Sequence, residues 1–500
     1  MLTMMLLLLE ATRGFDYGDA LRKSILFYEG QRSGKLPVTQ RVNWRGDSAL
    51  RDGLEANVDL VGGYYVRGDN VKYTFPMAFT ITMLSWSTLE YRNGMGMEDK
   101  LHAVEAIKWG TDYLLKATDT PRVVYVQVGQ AQRDRECWER PEDMDTPRTV
   151  FAVNRTHPGS DVAGEIAAAL AASSTVFRTV DSSYSAKLVK RSISVFKFAN
   201  RHRGPFKDSI GAEACLPYCG SGGYMDELVW AAAWIYKATN KSSYLKYVKD
   251  NMQRLVVHST LRNLRKNETS SNIDTMAEFG WDYKHGGISV LMSQFFMPKQ
   301  QKETNIFIAN ADRFVCSIIR ASPTPKSVKY SLRGLLFKPG RGSNMQHVTA
   351  YSFLLVTYSQ YLNKQSINVY CREGANEIFI TPPGLLYDAQ LQVNYILGGN
   401  MFNISYMIGY GEKYPTRIRH RSSSLPSVTV RPKPFKCHEG YKYFYAEDPN
   451  PNVLVGAVVG GPNIDDSYAD TREIYSQSEP ATYINAPLVG LLAFFKGHPY

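Results

Sequence analysis

The sequence predicts an all-α protein, and three observations carry that prediction. Apolar residues recur at helical spacing along most of the 500 residues, whereas the apolar-polar alternation of a half-buried strand is scarce. About a dozen such periodic segments are joined by long loops rich in Gly and Pro. Neither heptads nor a short sequence repeat runs through them, which points to a closed helical assembly rather than a bundle, with its chemistry on the loops.

In chain order, Leu21, Ile25 and Tyr28 line one helical face that stops at Gly30. Pro76 suits the first turn of a second helix, in which Met77, Ile81 and Leu84 form the buried stripe. Residues 100–116, 160–177, 183–200 and 226–239 read as further helices. Between 243 and 257, Leu245, Val248, Met252 and Leu255 repeat at helical spacing, and 388–397 ends at Gly398-Gly399, a C-cap signal. Residues 123–128 are the one strongly strand-like stretch. Near the C-terminus, Asn485-Ala486-Pro487 reads as a helix start, Leu488, Leu491, Leu492 and Phe495 as its buried face, and Gly497 as its stop.

Hydrophobic residues make up 44% and charged residues 21%, so the chain builds a sizeable core and is not disordered. The length admits several domains, but no linker forces a split. The net charge is +11, with local basic clusters at 262–266 and 417–436. No zinc-finger, RNP or helix-turn-helix pattern accompanies them, so a solvated basic surface is expected rather than a nucleic-acid site, and attraction to an acidic polymer stays open. Six cysteines, an even number, are expected to form disulfides of undetermined connectivity. Sequons at Asn154, Asn240, Asn267 and Asn403 point with them to secretion. Residues 1–9 resemble a short signal core, but no Lys or Arg precedes them, Glu10 follows, and no Ala-x-Ala site appears. A degraded or atypical signal peptide is therefore expected over 1–14. No later run is apolar for long enough to span a bilayer, so no membrane anchor is expected.

Two stretches hold the candidate chemistry. Within 465–495, Asp470 and Glu479 lie where turn-like sequence gives way to a helix. Between Ser478 and Pro480, with Tyr475, Tyr483 and Ile484 close by, Glu479 is expected to be desolvated enough to keep a proton near neutral pH, as a general acid requires. The plainer reading is a helix-entry carboxylate held by backbone N–H groups. In the second stretch, 62–70, three glycines allow tight turns, Tyr64 and Tyr65 offer flat faces for a sugar, and Asp69 can project from the loop. Two carboxylates from opposite ends of a chain are the minimum equipment of a glycosidase. His285, His347 and His420 have no zinc spacing, and P-loop, GxGxxG and nucleophile-elbow motifs are missing from the sequence.

Five tracts carry a family resemblance: VDLVGGYYVRGDNVKYTFPMAFT, CWERPEDMDTPRTVF, GYMDELVWAAAWIYKAT, SYMIGYGEKYPTRIRHRSSSLPS and YADTREIYSQSEPATYINAPLVG. In order, over about residues 15–495, they resemble the signatures of glycoside hydrolase family 9, in particular the plant endo-1,4-β-glucanases. The resemblance implies an (α/α)6 barrel, forming one catalytic domain over 15–500, with an open cleft for a β-1,4-glucan. It also implies hydrolysis with inversion, action on amorphous cellulose or related glucans, a monomer, and a place in the cell wall or apoplast. Carried over position by position, Asp69 matches the general base, Glu479 the general acid, Asp470 the other acid of the C-terminal motif, and Arg421 the arginine closing the histidine-containing motif. Tyr65, Trp138, His420 and Tyr475 are the further expected substrate contacts. No cofactor is required. Gly222, Gly223, Asp226, Glu227 and Asp282 resemble a calcium set of some members, although Asp226 and Glu227 also suit a helix N-terminus. An inverting pair should stand about 6.5–9.5 Å apart, leaving room for a water.

Several departures fall inside these motifs. The family's Asp-Ala-Gly-Asp is Val66-Arg67-Gly68-Asp69 here, which loses the acid that helps to hold the water. Arg67 is expected to stabilise the carboxylate of Asp69 and so weaken the base. Arg419 and Arg135 stand where histidines are usual, His347 replaces a Tyr, and LGGNM at 397–401 replaces LGDNP. Two expectations follow. Either these are tolerated changes in a hydrolase that keeps both principal acids, or the chain is a slow enzyme or a weakened glucan-binding relative.

Overall fold

In the computed structural model, the periodic segments become twelve helices of two turns or more among the described residues, which are 14–220, 222–265, 275–297, 305–338, 340 and 342–498. The expected signal segment up to residue 13 and the Asn267 sequon lie outside them. The helices are α1 (Tyr17–Gly30), α2 (Thr74–Tyr91), α3 (Met97–Lys116), α4 (Ser160–Phe177), α5 (Ser182–Arg201) and α6 (Met225–Thr239). They continue as α7 (Ser242–Arg265), α8 (His285–Ser293), α9 (Ile306–Ile318), α10 (Met345–Asn363), α11 (Pro382–Ile396) and α12 (Thr482–Gly497).

Burial alternates along this series. The even-numbered helices are apolar or small nearly all round and buried on most faces, and a helix with no polar face has to be enclosed. They touch in the order α2, α4, α6, α8, α10, α12 and back to α2, closing an inner ring. Runs of alanine on α4 and α6 let these helices approach closely. Each odd-numbered helix packs on the outside: α1 on α12, α3 on α2, α5 on α4, α7 on α6, α9 on α8 and α11 on α10. Outer α5 is amphipathic, burying Leu188, Val195 and Phe196 while Lys187 and Lys190 face solvent. The result is an (α/α)6 barrel.

Local signals explain most boundaries. Asp16, Asp181, Asn305 and Thr381 cap α1, α5, α9 and α11 through their side chains. Pro76 falls in the first turn of α2. The expected start of the last helix is corrected: α12 begins at Thr482 and encloses Pro487. Asn485 does not cap it. Buried, it accepts from the Val458 N–H (3.1 Å) and donates to Ser24 Oγ (2.9 Å) and the Gly456 carbonyl (2.8 Å).

The strand expected at 123–128 is β2 (Val124–Val128), the middle of an antiparallel sheet between β1 (Lys72–Tyr73) and β3 (Val150–Val153). Two small antiparallel pairs complete the strands, β4 (Lys329–Tyr330) with β5 (Leu336–Phe337) and β6 (Val369–Glu373) with β7 (Asn376–Ile380). Beside β1, Asp52 receives both Lys72 (2.8 Å) and Arg148 (2.8 Å); burial opposes its ionisation, but these cations hold its pKa below the ordinary carboxylate value.

All six cysteines pair, as Cys137–Cys437, Cys215–Cys219 and Cys316–Cys371. The first joins loops 300 residues apart. Removing it as Cys137→Ala with Cys437→Ala is expected to cost about 2–5 kcal/mol, read as a lower thermal midpoint. An unchanged midpoint would show that the two loops are held without it.

Candidate active site

The loops leading into α2, α6, α8, α10 and α12 meet over the N-terminal ends of the inner ring and enclose a cavity of about 550 Å³. Asp69 enters it from the loop before β1, Glu479 from the loop before α12, and Arg419 and Arg421 from the segment between α11 and α12.

Asp69 is half-buried, and its Oδ1, turned away from solvent, has no hydrogen-bond partner in the protein. Burial, then the charges of Asp134 and Glu479, push its pKa up to about 7 against the opposing Arg421 and Arg67. The backbone leaves no freedom here: a Cβ on Gly68 would stand 2.2 Å from the Arg419 carbonyl oxygen, so the loop passes this strand only as glycine. The Arg421 N–H donates to the Gly68 carbonyl (3.0 Å), and its guanidinium donates to the carbonyls of Cys137 (3.2 Å), Gly68 (3.3 Å) and Asp134 (2.6 Å). It also pairs with the Asp134 carboxylate at 2.8 Å. Arg421 thus clamps the base loop and supplies the charge opposite Asp134.

Glu479 follows the one-turn helix Tyr475–Ser478 and is 6% exposed. Arg67 Nε stands 3.1 Å from Glu479 Oε2, an ion pair without the alignment of a hydrogen bond, and its guanidinium lies 5.5 Å from the Tyr218 ring centre. Arg67 thus pairs with Glu479; it does favour the carboxylate of Asp69, as expected, but burial and the neighbouring acids outweigh it and the Asp69 pKa is raised rather than lowered. Val66 is buried in the main core, where its carbonyl accepts from the Thr482 N–H (2.9 Å) and ties the base loop to the start of α12.

Of the other expected site residues, Tyr475 reaches the cavity with its ring 48% exposed, as a glucose platform needs. Four lie elsewhere. Tyr65 is 3% exposed and donates to Ser48 Oγ (3.0 Å), so its faces are covered. Trp138 sits in a small second core with Leu425, Phe435 and Phe444, and the guanidiniums of Arg421 and Arg419 take its ring face at 4.9 Å and 5.5 Å. Asp470 receives Thr416 N (2.9 Å), Thr416 Oγ1 (2.8 Å) and Arg417 N (2.9 Å), fixing the approach to Arg419 from outside the cavity.

His420 is also a framework residue. Its Nδ1 accepts from the Ser423 N–H (3.1 Å), so Nε2 carries the proton and donates to Gln31 Oε1 (2.6 Å). Burial, with Arg45 and Arg421 nearby, takes its pKa down to about 3, and the ring is neutral at working pH. Gln31, just past the end of α1, passes the linkage on by donating to the carbonyls of Tyr65 and Arg67, each at 2.9 Å. His347 is half-buried, and loss of solvent together with Lys338 takes its pKa down to about 3.

The resembled calcium set gathers around Lys284, whose Nζ lies 3.3 Å from Glu227 and 3.4 Å from Glu165, while Asp226 accepts from the Lys284 N–H (3.0 Å). Among the described residues no three such side chains stand close enough to hold a metal, and the lysine meets the charge that an ion would meet. No step below runs through an ion.

Sequence reasoning missed Asp134, Tyr218, Trp281 and Gln346, all of which line the cavity. Asp134 had a signal, since it lies just ahead of the CWERPEDMDTPRTVF tract. The rings of Tyr73 and Trp281 hold Tyr218 edge-on at 4.8 Å and 5.0 Å, a packing that no local pattern announces.

Comparison with known proteins agrees with this geometry. The family model described as glycosyl hydrolase family 9 matches residues 17–492. The chain is 52% identical to Endoglucanase 4 of Arabidopsis thaliana over 500 residues, covering 100% of this chain and 98% of that protein. It is 51% identical to Endoglucanase 17 of Oryza sativa subsp. japonica over 491 residues, covering 98% and 95%. Among solved structures it resembles an endoglucanase from the termite Nasutitermes takasagoensis with a TM-score of 0.81 at 36% identity, over 98% of this chain and 100% of that one. Endoglucanase CelQ from Clostridium thermocellum, solved with cellotetraose, matches with a TM-score of 0.77 at 27% identity, over 97% and 71%.

Proposed function

We propose, because the chain belongs to glycosyl hydrolase family 9 and is a glycoside hydrolase, that it is a secreted endo-1,4-β-glucanase cutting internal bonds of cellulose-type glucans with inversion. The observation that carries this reading is the convergence of Asp69 and Glu479, from opposite ends of the chain, on one cavity near enough to feel each other's charge. Cellotetraose in the CelQ complex supports a β-1,4-glucan as the substrate class.

In this mechanism Asp69 is the general base. Its carboxylate, which lines the cavity, accepts a proton from a water below the sugar ring as that water attacks the anomeric carbon. Glu479 gives its proton to the departing glycosidic oxygen. Asp134 does not take the place of the acid lost at Val66: its Oδ1 accepts from the Asn70 N–H (3.2 Å) and its Oδ2 meets Arg421 (2.8 Å), so it acts on Asp69 through its charge. Tyr475 offers the open ring face for a glucose unit.

The sign of the pH dependence follows from Asp69. A base must be ionised, and a carboxyl held at about 7 takes up a proton as the pH falls below that value. kcat/KM is therefore expected to rise through about pH 7, measured from pH 4.5 to 9. A profile flat down to pH 5 would remove Asp69 from the role. Proton NMR of the first product from cellotetraose tests the stereochemistry: the α-anomer should appear first, and the β-anomer first would mean retention.

The Arg67–Glu479 ion pair favours a second reading, a weakened family member that mainly binds glucan. It predicts retention on a cellulose column without new reducing ends. Three disulfides that use all six cysteines support passage through an oxidising compartment, and no helix among the described residues is long and apolar enough to cross a membrane. An extracellular, cell-wall monomer that needs no cofactor completes the proposal.

A further inference from the structure

Four guanidiniums line the one cavity, and their partners divide them. Arg67 pairs with Glu479 and Arg421 with Asp134. Arg135 and Arg419 have no carboxylate within ion-pair distance among the described residues. Arg135 ends the one-turn helix Ala131–Arg135 and is exposed at the cavity edge. Arg419 is half-buried, its guanidinium 5.5 Å from the Trp138 ring and 5.2 Å from the Phe444 ring, with one donor on the Arg472 carbonyl (3.3 Å). Stacking fixes the plane of that guanidinium and leaves the rest of its donor fork for a ligand.

A neutral glucan presents only hydroxyls to these two cations. We propose that the cleft takes a β-1,4-glucan that carries carboxylate groups, and that Arg135 and Arg419 hold those carboxylates beside the reacting pair. The proposal rests on the glucan reading of the same site and names its substrate class. A carboxylate offers two acceptor oxygens to the five-donor fork of an arginine, a match that a hydroxyl does not make. Arg67, Arg135 and Arg419 are the departures from the family pattern that add positive charge, and all three fall in this cavity. Burial, and the neighbouring charges of Arg421 and Arg67, hold the Arg419 pKa below its usual value despite Glu479 and Asp69.

The test is affinity electrophoresis of the folded protein through gels containing hydroxyethylcellulose, carboxymethylcellulose or C6-oxidised cellulose. The last two separate carboxylates on side groups from carboxylates on the sugar itself. Wild type is expected to be held about tenfold more tightly by at least one carboxylated polymer than by the neutral one at low salt, and the difference should shrink as salt rises. Arg135→His with Arg419→His should bring the ratio close to one. Lys241→Gln with Lys364→Gln removes the same charge from the exposed surface and should leave the ratio unchanged. A ratio near one in wild type, an intact ratio in the arginine variant, or an equal loss in the lysine control overturns the proposal. If the double variant fails to fold, the exposed Arg135→His alone decides, with about a threefold fall expected. Reducing ends are measured on the same polymers. Their absence from all three defeats the hydrolase reading and leaves the binding comparison to stand or fall separately.

Discussion

Glu479→Gln is expected to lower reducing-end release from a soluble cellulose derivative by about 10²- to 10⁴-fold, the range lost when a positioned proton donor is removed. Gln keeps the size and one hydrogen-bonding oxygen but has no proton to give to the leaving group. The site around it is otherwise retained: Glu479 follows a one-turn helix, and the Val66 carbonyl anchors the next segment through the Thr482 N–H. Binding of glucan should therefore persist, so the loss should appear in kcat rather than KM. The variant also leaves Arg67 without its carboxylate, and a thermal midpoint taken alongside separates lost chemistry from lost folding. A fall of less than tenfold in a well-folded variant would remove Glu479 from the acid role.

Arg67→Ala is expected to work in the opposite direction above neutral pH, where Asp69 is ionised, raising the rate by about tenfold there. Because Arg67 also holds the Asp69 pKa down, the gain shrinks below neutrality. The ion pair exists only with an ionised carboxylate, so a proton-bearing acid has to give it up. Removing the guanidinium leaves a carboxyl that is 6% exposed without its cation, and such a group avoids the charge by taking a proton, which is the state the reaction uses. The Arg67 carbonyl, which accepts from Gln31, is retained in the variant, so the backbone of the base loop keeps its support. The activity profile should extend to higher pH, and a variant with an unchanged profile and rate would show that the pair opens without cost when substrate binds. The structure also reorders the two changes in this loop. Val66 lies in the main core rather than in the cavity wall, whereas Arg67 touches the acid itself.

Most helices of both rings were legible in the sequence, and three were not. The outer helix α5 shows its stripe, and residues 183–200 fall within one residue of its observed ends at Ser182 and Arg201. Inner helices α8 and α10 and the outer α9 went unread, whereas the equally buried α4 and α6 were read at 160–177 and 226–239 from their long runs of alanine and other apolar residues. Pro487 misled because it is favoured at a helix start, yet α12, held on several sides by its neighbours, tolerates it within. In the site, Asp69, Glu479, Arg421 and Tyr475 were found because they stand in long ordered motifs. Tyr65, Trp138 and His420 stand in the same motifs but serve the framework, and spacing does not distinguish a ring that meets sugar from one that meets an arginine. The Arg67–Glu479 pair links segments from the two ends of the chain, so no local pattern could show it.

The order in which the inner ring closes bears on how the protein is made. The circle from α2 through α10 returns to its beginning only through α12, and Glu479 lies just ahead of that helix. While the ribosome is still extending the chain, the first five inner helices form an open arc whose two edges wait for α12. A polypeptide released before Glu479 and α12 would expose apolar edges and lack one of the cavity acids together. Closure of the ring and the arrival of Glu479 in the cavity thus coincide as α12 is added to the chain.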